Sequence, residues 1–200
     1  MKRIEHKEKE LKKAKEYLKD RLVYSEKEIE KYVLENEEKI KFDLVEKFSI
    51  LCEIVRIQQK LGIKDKIGYV HIAFLRTSLM TKSYTFQISA FNRDFWLDKE
   101  ESTMELPMNF VFEKAEEDIK LLRKKNESNH FLNDFDYDEL EYDQMGDYID
   151  IAENIIRKLV PEAFKHSVLE TFFNGMSKEE DIQVIFGGHM ELGNVLELRD

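Results

Sequence analysis

Apolar residues follow two different periods along this chain. Up to Gly62 they recur at helical spacing, first as a sparse stripe in a highly charged stretch and then as a broader stripe. The sparse stripe predicts a charged N-terminal helix over residues 1–22, which needs a partner surface because its apolar face is narrow. Ser25 and Glu28 match a capping box, which predicts a second, long helix over 25–62. Around Asn36 the stripe thins, and there the long helix either continues or breaks.

The pattern changes to alternation after Gly62, which is typical of β-strands. Residues 68–76 and 83–91 are rich in β-branched and aromatic types and predict two antiparallel strands joined by a loop. Residues 94–97 (DFWL) predict a third strand. We therefore expect a small antiparallel β-meander of two or three strands over residues 68–98.

Helical spacing returns at Pro107, which suits the first turn of a helix. The predicted C-terminal half, residues 107–187, is helical. Its elements are a helix from Pro107, a loop over 124–133, a helix that ends at Pro161, a helix over 162–174, and a short helix that a second capping box opens at Ser177 and Gly187-Gly188 ends. Residues 194–198 predict a final edge strand. The fold class is thus α+β, mostly helical, with the meander packed against long helices in a single domain over residues 1–200.

Composition narrows the class of protein. The chain has 200 residues, of which 42 % are hydrophobic, so a core can form without disulfides or structural metals. One cysteine, Cys52, excludes an internal disulfide and a cysteine-based zinc site, and its place on the long helix predicts a packed, unreactive thiol. The first residues lack an apolar signal segment, and no apolar run is long enough to span a membrane. We expect a cytoplasmic protein without membrane contact, and the Lys, Glu, Ile and Asn content is typical of an AT-rich bacterial genome.

Charge is unevenly distributed. The formal net charge is −10, and residues 126–153 contain ten acidic residues and no lysine or arginine, whereas the first 21 residues hold nine bases and five acids. A chain with this balance is a poor nucleic-acid binder, so we expect no nucleic-acid partner. This uneven distribution of charge favours contact between residues 126–153, the acidic segment, and a basic surface.

The acidic segment is the main candidate site because aromatic residues are interleaved with its acids. Aromatic side chains anchor protein interfaces while charges steer association. The residues predicted to bind a basic partner are Asp134, Asp136, Tyr137, Asp138, Glu141, Tyr142 and Asp143. This layout fits a non-enzymatic interaction module, such as an inhibitor or immunity-type protein. In the alternative, the basic first helix packs on the acids of its own chain or of a second copy, which predicts a homodimer through the N-terminal helices.

A rival hypothesis is a metal-dependent hydrolase or small-molecule binder that uses the His, Asp and Glu residues of 130–143. His130 would then converge with Asp134 and Asp138 on a metal. An EF-hand is excluded, since Glu139 and Met145 stand where that loop needs Gly and Glu. Zincin spacing, a nucleophile elbow and nucleotide-binding motifs are all missing from the sequence. We therefore predict no cofactor, no resident metal and no catalytic residue, and favour a protein that is not an enzyme.

Two further features have structural explanations beside functional ones. The loop after the first strand carries Arg76 and Lys82 among four hydroxyl side chains, a composition that can contact an anion but also suits a hairpin connection. His71 shares a strand face with Tyr69 and Ala73, where a histidine most often has a structural role.

Overall fold

The computed structural model describes residues 2–127, 130–189 and 193–196. In chain order the helices and strands are α1 (Lys2–Lys60), β1 (Ile67–Phe74), α2 (Arg76–Met80), β2 (Thr85–Phe91), β3 (Thr103–Pro107), α3 (Asn109–Lys125), α4 (Asp134–Phe164), α5 (Ser167–Gly175), β4 (Lys178–Gly188) and β5 (Asn194–Leu196). The α+β class is confirmed, with helix dominant. None of the helices in the described part of the chain is long and apolar enough to cross a membrane.

The chain divides into two compact units. Unit 1 combines Met1–Glu35 with Asn109–Ala152, and unit 2 combines Asn36–Met108 with Glu153–Asp200. Helices α1 and α4 therefore contribute one part to each unit. The boundary in α1 falls at Asn36, whose φ of −120° and ψ of 15° are not helical. The predicted thinning of the stripe near this residue marks a real break.

Unit 1 is built from the first part of α1, α3 and the first part of α4. Its core includes Ala14 and Leu18 from α1, Ile119 and Leu122 from α3, and Leu140 from α4. The helix boundary predicted between residues 22 and 25 is wrong, because α1 runs straight through this stretch. Ser25 does not cap a helix. It is fully buried, and its hydroxyl donates to the carboxylate of Asp118 on α3.

Unit 2 contains a five-stranded mixed sheet in the order β3-β2-β1-β4-β5. Strands β1, β2 and β3 pair antiparallel, whereas β4 pairs parallel with β1 and antiparallel with β5. The predicted two- to three-stranded antiparallel meander is therefore wrong in strand number and in type of sheet. Val70, Ile72, Phe86, Ile88 and Phe186 are all buried on the core face of the sheet.

The third strand of the sheet is β3 and not residues 94–97. Phe95 has φ of 52°, a value that a strand cannot accommodate, and it begins a short 3₁₀ turn, Phe95–Leu97. A buried ion pair between Lys64 Nζ and Asp98 Oδ2, at 2.7 Å, stabilises this connection. Pro107 is the last residue of β3, so the helix predicted to begin there begins instead at Asn109.

The largest error concerns residues 177–188, for which the sequence predicted a capped helix. Residues 178–188 form β4, an interior strand in parallel register with β1: Val184 opposes Val70 and Phe186 opposes Ile72. The predicted edge strand at residue 194 is confirmed as β5, and residues 197–198 of that prediction lie outside the described residues. The predicted helix end at Pro161 is wrong, because buried Leu159, Val160 and Ala163 hold α4 helical through the proline.

Candidate functional site

The predicted site residues, 134–143, form about the first three turns of α4, within unit 1. Asn133 precedes the helix, and its side-chain Oδ1 accepts from the N–H of Asp136 at 3.1 Å. Asp136 Oδ2 accepts in return from the N–H of Asn133 at 2.9 Å, which completes a reciprocal cap. Helix formation is thus encoded locally, by an amide and a carboxylate three residues apart.

Two residues of the predicted site are buried in unit 1. Asp136 is 2 % exposed and pairs with Lys7 Nζ at 2.6 Å. Burial opposes its charge, but the Asn133 N–H and Lys7 hold the pKa of Asp136 below its ordinary value. Tyr137 is 7 % exposed and lies under the Arg123 guanidinium, 4.4 Å from the ring centre. We leave both residues out of the candidate surface.

Other predicted residues point outward and are only partly neutralised by bases of the same unit. Arg123 contacts Asp134 at 2.7 Å and Asp138 at 3.3 Å, and these carboxylates are 92 % and 70 % exposed. Lys15 contacts Asp143 at 2.9 Å, and the hydrogen bond from this ammonium raises the pKa of Lys15. The contacts of Lys7 and Lys15 match the alternative in which the basic first helix packs on the acids of its own chain.

An outward strip of α4 combines these acids with exposed aromatic rings. Phe135 is 73 % exposed and Tyr142 is 62 % exposed, about two helical turns apart on one face. Asp138 flanks them on one side, and Glu139 with Asp143 on the other. We call these five residues the acidic face. Glu141, also predicted as a site residue, is partly buried beside it.

Negative charge remains in excess along this part of α4. Partial burial and the neighbouring carboxylate of Asp150 raise the pKa of Asp147, one helical turn beyond Asp143. Three bases, Lys7, Lys15 and Arg123, contact four of the acids of the segment. The acidic face therefore presents exposed carboxylates that Arg123 and Lys15 compensate only in part, together with exposed aromatic rings, and this combination attracts a basic protein surface.

A buried polar cluster lies on the opposite side of α4, and sequence reasoning missed it. Asp118 of α3 is fully buried and accepts from Arg21 Nε at 2.8 Å, from the Ser25 hydroxyl and from the Tyr148 hydroxyl at 2.8 Å. Burial raises the pKa of Tyr148, so the phenol stays protonated and donates. Because donors from α1 and α4 surround the carboxylate, this cluster joins the three helices of unit 1.

The metal hypothesis loses its support in this geometry. Among the described residues, no group of three or more His, Cys, Asp and Glu side chains is placed to hold a metal ion. Instead of converging with His130, the carboxylates of Asp134 and Asp138 both contact Arg123, and that of Asp136 contacts Lys7. A lysine or arginine in contact with a carboxylate competes directly with a cation for the same oxygens.

The predicted anion-contact loop is largely the short helix α2, in unit 2. Arg76 begins this helix and Lys82 follows it, but neither is among the described residues that line the adjacent cleft of about 740 Å³. Hydroxyl groups line the cleft and largely bond to one another or to the backbone: Ser78 Oγ accepts from Ser83 Oγ at 2.9 Å and from the N–H of Thr85 at 2.6 Å. These bonds favour the structural explanation, a hairpin connection.

Two other potential reactive groups of unit 2 are buried. Cys52 is 4 % exposed, which confirms that this side chain is packed in the core, and burial raises the pKa of its thiol to about 12. His71 is 1 % exposed under Trp96, and burial lowers its pKa to about 4, which keeps the ring neutral. Its Nε2 has no hydrogen-bond partner among the described residues.

Comparison of the chain with family models, curated proteins and solved structures gives no match. The acidic face therefore has to be interpreted from its own geometry and charge.

Proposed function

We propose that the protein is a non-enzymatic interaction module that binds a basic protein partner through the acidic face of α4. The observation that carries this proposal is the exposure of Phe135 and Tyr142 between carboxylates on one helical face. Large exposed aromatic rings that are aligned on one face are typical of contact surfaces, whereas single scattered ones are ordinary. An inhibitor or immunity-type protein, which neutralises a cationic target, has this layout.

The chemistry of the face determines the kind of partner. A lysine- or arginine-bearing surface would exchange hydrated carboxylates for ion pairs and would be steered toward the face from a distance. The aromatic rings would supply the apolar contact that holds the complex once formed. Because the charges act mainly on encounter, the association should weaken as salt increases.

Affinity capture with the full chain tests this proposal. The surface variant carries Asp138→Asn, Glu139→Gln and Asp143→Asn. The matched control carries the same change in charge at Asp20→Asn, Glu26→Gln and Glu30→Gln, which are exposed positions on α1 of the same unit. We expect the wild type and the control to retain the same basic protein from a lysate of the source cell, and the surface variant to lose it. Equal retention by all three chains would contradict the proposal.

A further inference from the structure

Unit 2 carries an apolar groove between α5 and the second part of α1. Its volume is about 450 Å³, and most of the residues that line it are aliphatic or aromatic. Phe42 and Ile57 on α1 are 64 % and 48 % exposed, and Val168 on α5 is 47 % exposed. These side chains are aligned along one groove, so they differ from the isolated apolar residues that any protein surface shows.

The groove exists because the second part of α1 is apolar on two opposite sides. One side packs in the core of unit 2, through Leu44, Phe48, Leu51 and Val55. The other side presents Phe42, Ile50 and Ile57 at spacings of two and four helical turns. A helix that is apolar on both sides is normally covered on both sides.

A buried hydroxyl group at the groove is also left without a partner. Ser49 lines the groove and is only 7 % exposed, and its Oγ makes no hydrogen bond among the described residues. A buried hydroxyl without a hydrogen bond is costly and therefore uncommon. Because this oxygen is almost inaccessible, the surface that the groove offers to an occupant is mainly apolar.

The charges at the groove favour a basic occupant. Among its described lining residues are two carboxylates, those of Glu46 and Glu53, and no lysine or arginine. Glu53 pairs with Arg56 at 2.7 Å, whereas Glu46 is exposed and has no ion pair within the described part of the chain. The same face of a second copy would bring another Glu46 into the contact, and like charges oppose such pairing. A lysine or arginine beside an apolar stripe complements it.

The dimensions fit a helix. Phe42 and Ile57 lie about 22 Å apart along the axis of α1, at a rise of 1.5 Å per residue. A partner helix of about four turns covers this length and presents apolar residues at i, i+3 or i+4, and i+7. We propose that the α1–α5 groove binds an amphipathic helix of a partner protein, with a lysine or arginine placed to meet Glu46. This groove is a second docking site, and the proposal does not rest on the acidic face.

Fluorescence anisotropy with the full chain tests this inference. The probe is a fluorescein-labelled helix of about 18 residues with a leucine stripe and lysines at the other positions. A second probe has glutamate in place of lysine, and a third has the leucines scrambled. We expect the lysine probe to bind most tightly, and Ile57→Asp or Val168→Asp to weaken it by about tenfold or more. Both positions are about half exposed, so these variants should remain folded, and circular dichroism checks that.

The variant Glu46→Lys gives an independent readout, since it removes no apolar contact. It should weaken the lysine probe and strengthen the glutamate probe. Phe135→Asp, on the acidic face of unit 1, is the matched control and should leave groove binding unchanged. If the probe is lost from Phe135→Asp but retained by Ile57→Asp and Val168→Asp, the groove proposal is overturned and the proposed function gains support.

Two other outcomes would also overturn the groove proposal. In the first, sedimentation equilibrium shows a wild-type dimer that Ile57→Asp converts to a monomer, so that a second copy occupies the groove. In the second, all three probes bind equally, and the groove then has no preference for a basic amphipathic helix.

Discussion

Unit 1 contains two sets of acidic side chains that differ in what surrounds them. Asp118 is fully buried and receives hydrogen bonds from a guanidinium and two hydroxyl groups. Asp138, on the outer side of α4, is 70 % exposed and has one contact of 3.3 Å with Arg123. Burial makes the loss of the Asp118 carboxylate costly for stability, because the donors around it are themselves buried or largely buried. Because Asp138 is exposed, its carboxylate contributes little to the free energy of unfolding and is available to a partner.

The largest effect is expected at Asp118. Replacing it by Ala leaves the Arg21 guanidinium and two buried hydroxyl groups without their acceptor, so the free energy of unfolding should fall by about 3–5 kcal/mol. Glu117→Ala, one residue earlier, removes an exposed carboxylate that pairs with Lys114 at 3.0 Å and should cost less than about 1 kcal/mol. Urea unfolding of both variants measures the difference. Equal losses of unfolding free energy in the two variants would show that a buried carboxylate matters no more for stability than an exposed one.

A smaller effect is expected from tyrosine hydroxyl groups on opposite sides of α4. Tyr148→Phe keeps the packed ring and removes one donor to a buried carboxylate, which should cost about 1.5–3 kcal/mol. Tyr142→Phe removes a hydroxyl from a side chain that is 62 % exposed, and its unfolding free energy should match that of the wild type. An unchanged unfolding free energy for Tyr148→Phe would contradict the role assigned to the Asp118 cluster.

Asp136 should show a pH-dependent effect of intermediate size. The pKa of Asp136 is lowered in the folded protein, so its stabilising contribution is complete above the ordinary value of 3.8 and is lost as the pH falls from there through the lower folded pKa. Asp136→Asn keeps an acceptor for the Asn133 N–H but loses the charge that pairs with Lys7, so it should cost about 1 kcal/mol near neutral pH. Unfolding curves of wild type and variant should converge in acid. If the difference in unfolding free energy between wild type and variant is the same at all pH values, the loss comes from packing and not from the charge of Asp136.

The smallest effect on stability is expected at the acidic face. The triple variant Asp138→Asn, Glu139→Gln and Asp143→Asn breaks only exposed pairs, so its unfolding free energy should change by less than about 1 kcal/mol. Thermal unfolding against the wild type checks this expectation. A loss as large as that of Asp118→Ala would mean that these acids hold the fold, as Asp118 does.

Local patterns predicted the elements that local interactions stabilise. The alternation after Gly62 located β1, the helical spacing after Met108 located α3, and the apolar stripe placed Cys52 in a core. The acidic segment was identified by composition, since its ten acids without a base are visible in the sequence. Which of its acids face outward depends on the packing of α1 and α3 against α4, so Asp136 and Asp138 could not be told apart.

Interactions between distant residues account for the errors. Residues 178–188 have a capping signal before them and two glycines at their end, but parallel pairing with β1, over 100 residues earlier, makes them a strand. The alternation of Ile182, Val184 and Phe186 was the signal that could have indicated this. Ser25 was similarly misassigned because its acceptor, Asp118, is 93 residues away. Asp118 itself is one of 42 acids, and no local pattern distinguishes it.

The most direct test of the acidic face as a binding surface is a titration of the captured basic protein against the wild type, the acidic-face triple variant and the matched α1 control, at low and at moderate salt. We predict that the triple variant binds at least about tenfold more weakly at low salt, with unchanged unfolding free energy, and that higher salt narrows the difference. The matched control should bind like the wild type. Equal affinity of all three chains at both salt concentrations would contradict the claim that the acidic face of α4 is the binding surface.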